Sequence, residues 1–338
     1  KEKTVDGLKY QKIFYGFGTL EQTKKYAKNE LVIEDDTTFI ATGALDCLES
    51  QNTKVILPDS IQQIGWQKTE NLYSENNVIY GYDKNTKNKV AVISSICDYS
   101  PGSPIHLHEI IDFQLKGIKI IADKALLHIK LLDQVWDADS LIYIGSGAFN
   151  DKNAVFGKLS LDSLCKIGTA AFSNSTFNEI YLGHAKQLKE IAASAFSGCK
   201  KLTKMVFPES LEQIDSCAFK SCSGLTGDLI IPQNVKVILS SAFEDCFNLN
   251  GNLYLKSNDA FCIGPSAFQK TNFKNIYISM DPNNVSEKSL LPAKHWLSND
   301  DIYGDEGFRV HVKANFVKAI RDSGIISEQT IEYFLSGF

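Results

Sequence analysis

The sequence predicts a solenoid, with coils of about 24 residues stacked in register, one short parallel strand per coil, mostly β and loop, and a short helical C-terminal cap. Three observations predict it. The pattern Ile-x-x-x-Ala-Phe occurs six times and ends at Phe149, Phe172, Phe196, Phe219, Phe243 and Phe268. The intervals between these Phe are 23, 24, 23, 24 and 25 residues. The same frame recurs with Leu in place of Phe, ending at Leu45 and Leu126.

One unit, from Leu202 to Gly224, shows why each part forms. Met205 and Phe207 alternate with polar or outward residues, a period of two that reads as a short strand. Pro208 stops the strand because it has no N–H for a ladder. Leu211 and Ile214 point inward from a second straight segment. Ala218 lets coils approach closely, and Phe219 fills the interior. A single coil cannot bury its apolar face, so each is buried against the next. Strand spacing is about 4.8 Å, which suits offset aromatic pairs, so the six Phe are expected to form an aromatic ladder.

The phrase Phe207-Pro208-Glu-Ser-Leu211-Glu-Gln-Ile214-Asp-Ser-Cys-Ala218-Phe219-Lys-Ser-Cys222 resembles the BspA-type leucine-rich repeat. That resemblance covers roughly 31–280 and is clearest between Ile144 and Phe268. It implies a leucine-rich-repeat solenoid acting as a surface protein that binds host or neighbouring-cell proteins, and it implies no catalytic residue. The sequence departs from the regular form where Gly183 and Lys256 replace the strand-ending Pro.

Three regions are expected. Residues 1–30 lack the repeat and read as an N-terminal cap, because terminal units need a polar outer face. Residues 31–282 form the solenoid, degenerate over 71–120, where Val78–Asp83 and Val90–Val92 read as two strands joined by a polar turn. Residues 283–338 read as a C-terminal cap, with a strand at Val310–Val312 and helices near 315–322 and from Ser327.

Composition narrows the function. The chain has 338 residues, 43% of them hydrophobic and 22% charged, with a net charge of −5. No basic tract provides a nucleic-acid footprint, and no apolar run reaches the roughly 18 residues of a membrane span. Only Arg309 and Arg321 are arginines, so the bidentate fork favoured in phosphate sites is missing from most of the chain. The chain begins at Lys1, consistent with a leader having been removed.

Few residues offer chemistry. Cys199, Cys222 and Cys246 each follow a repeat Phe by three positions, which reads as one column of buried small side chains. No C-x-x-C pair supports a zinc site. In His106-Leu-His108-Glu109 the two imidazoles lie on one face of a strand, as in some zinc sites, but no third ligand is identified, and the acidic stretch 299–306 lacks the spacing of a calcium loop. No nucleophile elbow or nucleotide-binding fingerprint is present. The expectation is no catalytic residue, no metal and no cofactor.

The remaining signal lies between the inward strand residues. Outward slots in successive coils hold Tyr181, Val206, Ile230, Tyr254 and Tyr277. One reading is β-propensity alone, or cover by the C-terminal segment. The other is an apolar stripe that marks an interaction face, on which these five are the candidate binding residues. The expected protein is a monomeric cell-surface or secreted adhesin that recognises an extracellular or host protein, or a glycan. The rival readings are an intracellular or periplasmic scaffold, and an enzyme with its site in 71–120 or 283–338.

Overall fold

A computed structural model describes residues 3–5, 8–10, 13–14, 30–46, 52–67, 74–75, 78–95, 109–110, 115–127, 130–131, 138–150, 158–256, 262–278 and 309–312. The chain divides into two units, Lys1–Phe172 and Ser173–Phe338. His106, His108, the acidic stretch 299–306 and the C-terminal helices expected near 315–322 and from Ser327 lie outside the described residues. Among those described, there is no helix and every regular element is a strand.

The fold is a β-solenoid of leucine-rich-repeat type, with seven regular coils among the described residues. Three stand in the first unit, where Ile120–Ile121, Tyr143–Ile144 and Lys166–Ile167 pair in parallel, Ile121 beside Ile144 beside Ile167. Four stand in the second, where Glu190–Ile191, Gln213–Ile214, Val237–Ile238 and Cys262–Ile263 align the isoleucines in the same way. These two-residue strands occupy the segment in which the sequence shows only inward Leu and Ile. The strand predicted from the Met205 alternation is also present, as Lys204–Val206, so a regular coil such as this one carries two strands.

Stacking then gathers like residues together. In the first unit the rings of Phe149 and Phe172 lie 5.0 Å apart at 4°. In the second, Phe196, Phe219, Phe243 and Phe268 follow at 5.2, 5.0 and 5.4 Å, each pair within 9° of parallel. All six are buried. The predicted ladder is therefore present within each unit.

The turn around each Ala-Phe pair is built by backbone geometry. Ser194, Cys217, Ser241 and Ser266, each two residues before the Phe, have φ between 55° and 58°. Gly198, Ser221, Asp245 and Lys270, each two residues after it, are also left-handed, with φ from 57° to 74°. These reversals turn every second N–H toward the following coil. Ser194 donates to Ser216, Phe196 to Ala218 and Gly198 to Lys220, at 2.9, 2.8 and 2.8 Å. The left-handed conformation costs an L-residue about 1–2 kcal/mol, and the three inter-coil bonds offset it.

Hydroxyls and thiols close the remaining carbonyls. Ser210, the Ser after Pro208, donates to the carbonyls of Ala185 and Leu188 at 2.9 and 2.7 Å. Ser60 does the same for Thr37 at 2.8 Å in the first unit. The sulfur column extends beyond sulfur, because the fully buried Ser175 and the nearly buried Thr271 occupy the position held by Cys199, Cys222 and Cys246. Cys222 donates to Phe196 O and Cys246 to Phe219 O, at 3.0 and 3.1 Å.

The first unit also contains two departures from the repeat. Val78–Asp83 and Lys89–Ser95 form an antiparallel hairpin with two register shifts, and Val78–Asp83 pairs in parallel with Lys54–Leu57. In its turn, Asp83 Oδ1 accepts hydrogen bonds from the Thr86 N–H and hydroxyl and from the Asn85 N–H. The second departure is the coil at Ile64, which lacks an Ala-Phe pair. Buried Gln67 fills in: Oε1 accepts the Leu45 N–H at 2.8 Å, and Nε2 donates to Ala41 O and Gly65 O.

Candidate functional site

The candidate residues Tyr181, Val206, Ile230, Tyr254 and Tyr277 all lie on the outer side of the second unit. Alternation places them there. Ile180, Leu182, Leu229, Ile231, Leu253 and Leu255 are buried, whereas Ile230 between its two neighbours is 49% exposed and Val206 is 37% exposed. Tyr181, Tyr254 and Tyr277 are partly exposed. Tyr181 pairs with Val206, and Ile230 with Tyr254 and then Tyr277. The rings of Tyr254 and Tyr277 stack at 4.9 Å and 9°. The Tyr181 hydroxyl donates to Glu179 Oε2 at 2.7 Å, which pushes its phenol pKa up. Asn252 Nδ2 donates to the Tyr254 hydroxyl at 3.3 Å.

The stripe is not continuous, however. The sheet that pairs Glu179–Tyr181 with Lys204–Val206 ends at the latter strand. A new sheet begins at Leu229–Ile231 and continues through Asn252–Leu255 and Asn275–Ile278 to Arg309–Val312. The five outward residues therefore form a pair and a triplet. Chain length accompanies the break: six positions separate Leu202 from Pro208, but seven separate Leu225 from Pro232. The added position falls in the Gly227-Asp228 turn, where Gly227 adopts φ 76° with nothing within 4 Å of its would-be Cβ.

A cleft of about 660 Å³ opens at this break, lined by Met205, Val206, Phe207, Leu225, Leu229 and Ile230 among others. Met205 faces inward but is only partly buried, unlike Ile180, Leu229 and Leu253 at the same place in other coils. Below it, Phe207 is buried and meets Phe219 edge-on at 5.6 Å and 76°. Sequence reasoning found the outward residues and missed the cleft; its one sequence signal is the single added residue at the Gly-Asp turn.

Among the described residues, no three His, Cys, Asp or Glu side chains gather to hold a metal ion. Burial pushes the Cys222 and Cys246 thiols well above their usual range, so they stay protonated and unreactive. No helix among the described residues is long and apolar enough to cross a membrane.

A coil repeated at about 24 residues, two short parallel strands and an inward column of Ala-Phe pairs define a leucine-rich-repeat solenoid protein. The chain belongs to the BspA-type leucine-rich repeat family, whose model, described as a BspA type leucine rich repeat region, matches six copies over residues 106–226 and 165–291. No curated protein matches it in sequence.

Solved structures similar to the chain include bacterial leucine-rich repeat proteins. A leucine-rich repeat protein from Bacteroides ovatus is 19% identical, with 92% of this chain and 67% of that one covered and a TM-score of 0.44. One from Eubacterium ventriosum is also 19% identical, at 72% and 64% coverage and a TM-score of 0.42, so the chain spans less than two thirds of it. The pneumococcal vaccine antigen PcpA is 15% identical, with 96% and 93% covered and a TM-score of 0.35.

Proposed function

We propose that this is a non-catalytic recognition protein, displayed on a cell surface or secreted, that binds an extracellular or host protein, or a glycan, through the outer strand face of its second unit. One observation carries the reading. Three tyrosines and two β-branched residues occupy outward slots of adjacent strands, and the two β-branched ones stay more than a third exposed. Apolar and Tyr-rich surface of this kind marks interaction sites. Family membership supports a binding role, since these repeats build extended surfaces rather than reaction centres.

Recognition here is a matter of shape and area. The strands hold Tyr254 and Tyr277 in a fixed stack, so little side-chain entropy is lost on contact. The test is retention of matrix proteins and cell-wall glycans by the immobilised protein, beside a variant carrying Tyr181→Ser, Tyr254→Ser and Tyr277→Ser. A partner held by the wild type should be lost by the triple variant. Equal retention of that partner by both proteins would overturn the assignment of this face.

A further inference from the structure

The cleft at the sheet break is more than a gap between side chains, because backbone lines it from both sides. Val206 turns its carbonyl to the Leu182 N–H, toward Glu179–Tyr181. Alternate residues of a parallel strand address opposite edges, so Met205 presents its N–H and C=O to the cleft. Across the gap, Ile231 gives its carbonyl to the Lys256 N–H, which leaves the backbone of Ile230 addressing the cleft from the other side. The two coils touch at the base, where the Thr226 N–H reaches Thr203 O at 3.4 Å, and diverge above it. No strand among the described residues pairs with either edge.

The side chains add charge. Five ionisable groups line the cleft: Glu179, Lys204, Glu209, Asp228 and Lys256. Two of the acids are engaged, Glu179 by the Tyr181 hydroxyl and Asp228 by the N–H and Nδ2 of Asn252. Lys204 and Lys256 have no ion-pair partner among the described residues, and Lys256 stands where other coils end the strand with Pro. Glu179, Glu209 and Asp228 keep their charge, so the lining is of mixed sign, and Lys204 and Lys256 are the two positions at which it can meet a carboxylate.

We infer that the cleft seats an extended polypeptide segment of a partner protein. Its backbone pairs with the open edge at Met205, one apolar side chain enters against Met205 and Leu225, and a flanking carboxylate meets Lys204 or Lys256. Open strand edges are templates for such pairing. The lining disfavours a sugar, because its one aromatic ring, Phe207, is buried and engaged edge-on with Phe219 and Phe243. This rests on the recognition reading only in its choice of the outer face.

The probe is a random dodecapeptide library displayed on phage, selected on the full chain and counter-selected on Thr226→Trp. Thr226 is exposed at the cleft wall, so the indole fills the space with little disturbance of the interior. Expected are peptides with alternating apolar residues and a flanking acid, bound at least tenfold more weakly by Thr226→Trp and by Lys204→Glu with Lys256→Glu. N-methylation of alternate amides on one edge of a selected peptide should cost at least tenfold, and on the other edge little. Selection of no peptide, equal binding to the filled cleft, or indifference to N-methylation at every position would each overturn the inference. The triple Tyr variant separates the two proposals: peptide binding kept while the matrix partner is lost supports the cleft as a site of its own.

Discussion

The Cys222 thiol points at the carbonyl oxygen of Phe196 in the preceding coil, 3.0 Å away, and Cys246 repeats the relation with Phe219 at 3.1 Å. The two thiols therefore serve as small donors to the preceding coil, whereas Thr271, at the same repeat position, donates to Phe268 O within its own coil at 2.7 Å. Cys222→Ser should change stability by less than about 1 kcal/mol. Cys222→Ala removes one of the two hydrogen bonds that the Phe196 carbonyl accepts, the other coming from the Cys199 N–H at 3.2 Å, and should cost about 0.5–1.5 kcal/mol more than the Ser variant. Urea denaturation of the two variants checks this, and similar losses for both would contradict the donor role.

At the centre of the second unit's ladder, Phe219 stacks on Phe196 and Phe243 and receives Phe207 edge-on. Phe219→Ala should cost about 3–5 kcal/mol through lost transfer energy and the residual cavity. Thermal unfolding followed by circular dichroism measures it. A loss under 1 kcal/mol would show that the coils re-close around the void.

Backbone reversal makes a separate prediction at Ser241, where φ is 57°. Ser241→Gly relieves the left-handed strain at the expense of unfolded-state entropy, and its net effect should be near zero. Ser241→Val, β-branched at the same φ, should cost about 1–2 kcal/mol or more. Chemical denaturation midpoints of the pair test the conformation independently of side-chain packing.

Acid should act through the hairpin turn. The Thr86 N–H and hydroxyl hold the Asp83 carboxylate down to about 2, from an ordinary 3.8. A carboxylate with a depressed folded-state pKa stabilises the fold above its unfolded value and loses that contribution as pH falls toward the folded one. Between pH 6 and 2.5 the loss should be about 1.5 kcal/mol. Urea midpoints of wild type and Asp83→Asn at both pH values isolate it, because the variant cannot titrate there. Parallel pH responses would contradict the assignment.

How much of this was legible depended on what each feature needs from its residues. The Phe column was plain because burial demands one residue type at a fixed period, as in Phe196, Phe219 and Phe243. The outward position of Val206 and Ile230 followed from strand alternation. The left-handed column was not legible, because Ser194, Cys217 and Ser241 carry no glycine signature and are held there by bonds to the next coil. Nor was Gln67, whose amide replaces backbone groups of an absent Ala-Phe turn and has no equivalent in the other described coils. The sheet break was hidden for another reason. One added residue at Gly227-Asp228 looks like ordinary loop variation, and its effect is set by whether two strands still meet.

The bond from the Phe219 N–H to Ala242 O recurs from Phe243 to Ala267, both at 2.7 Å. Each coil thus offers its successor the same socket that it plugs into on its predecessor. Recombination that copies one stretch of 23 or 24 codons inserts a turn whose contacts on both sides already exist. Such copying can lengthen or shorten the array of coils without redesigning its interior.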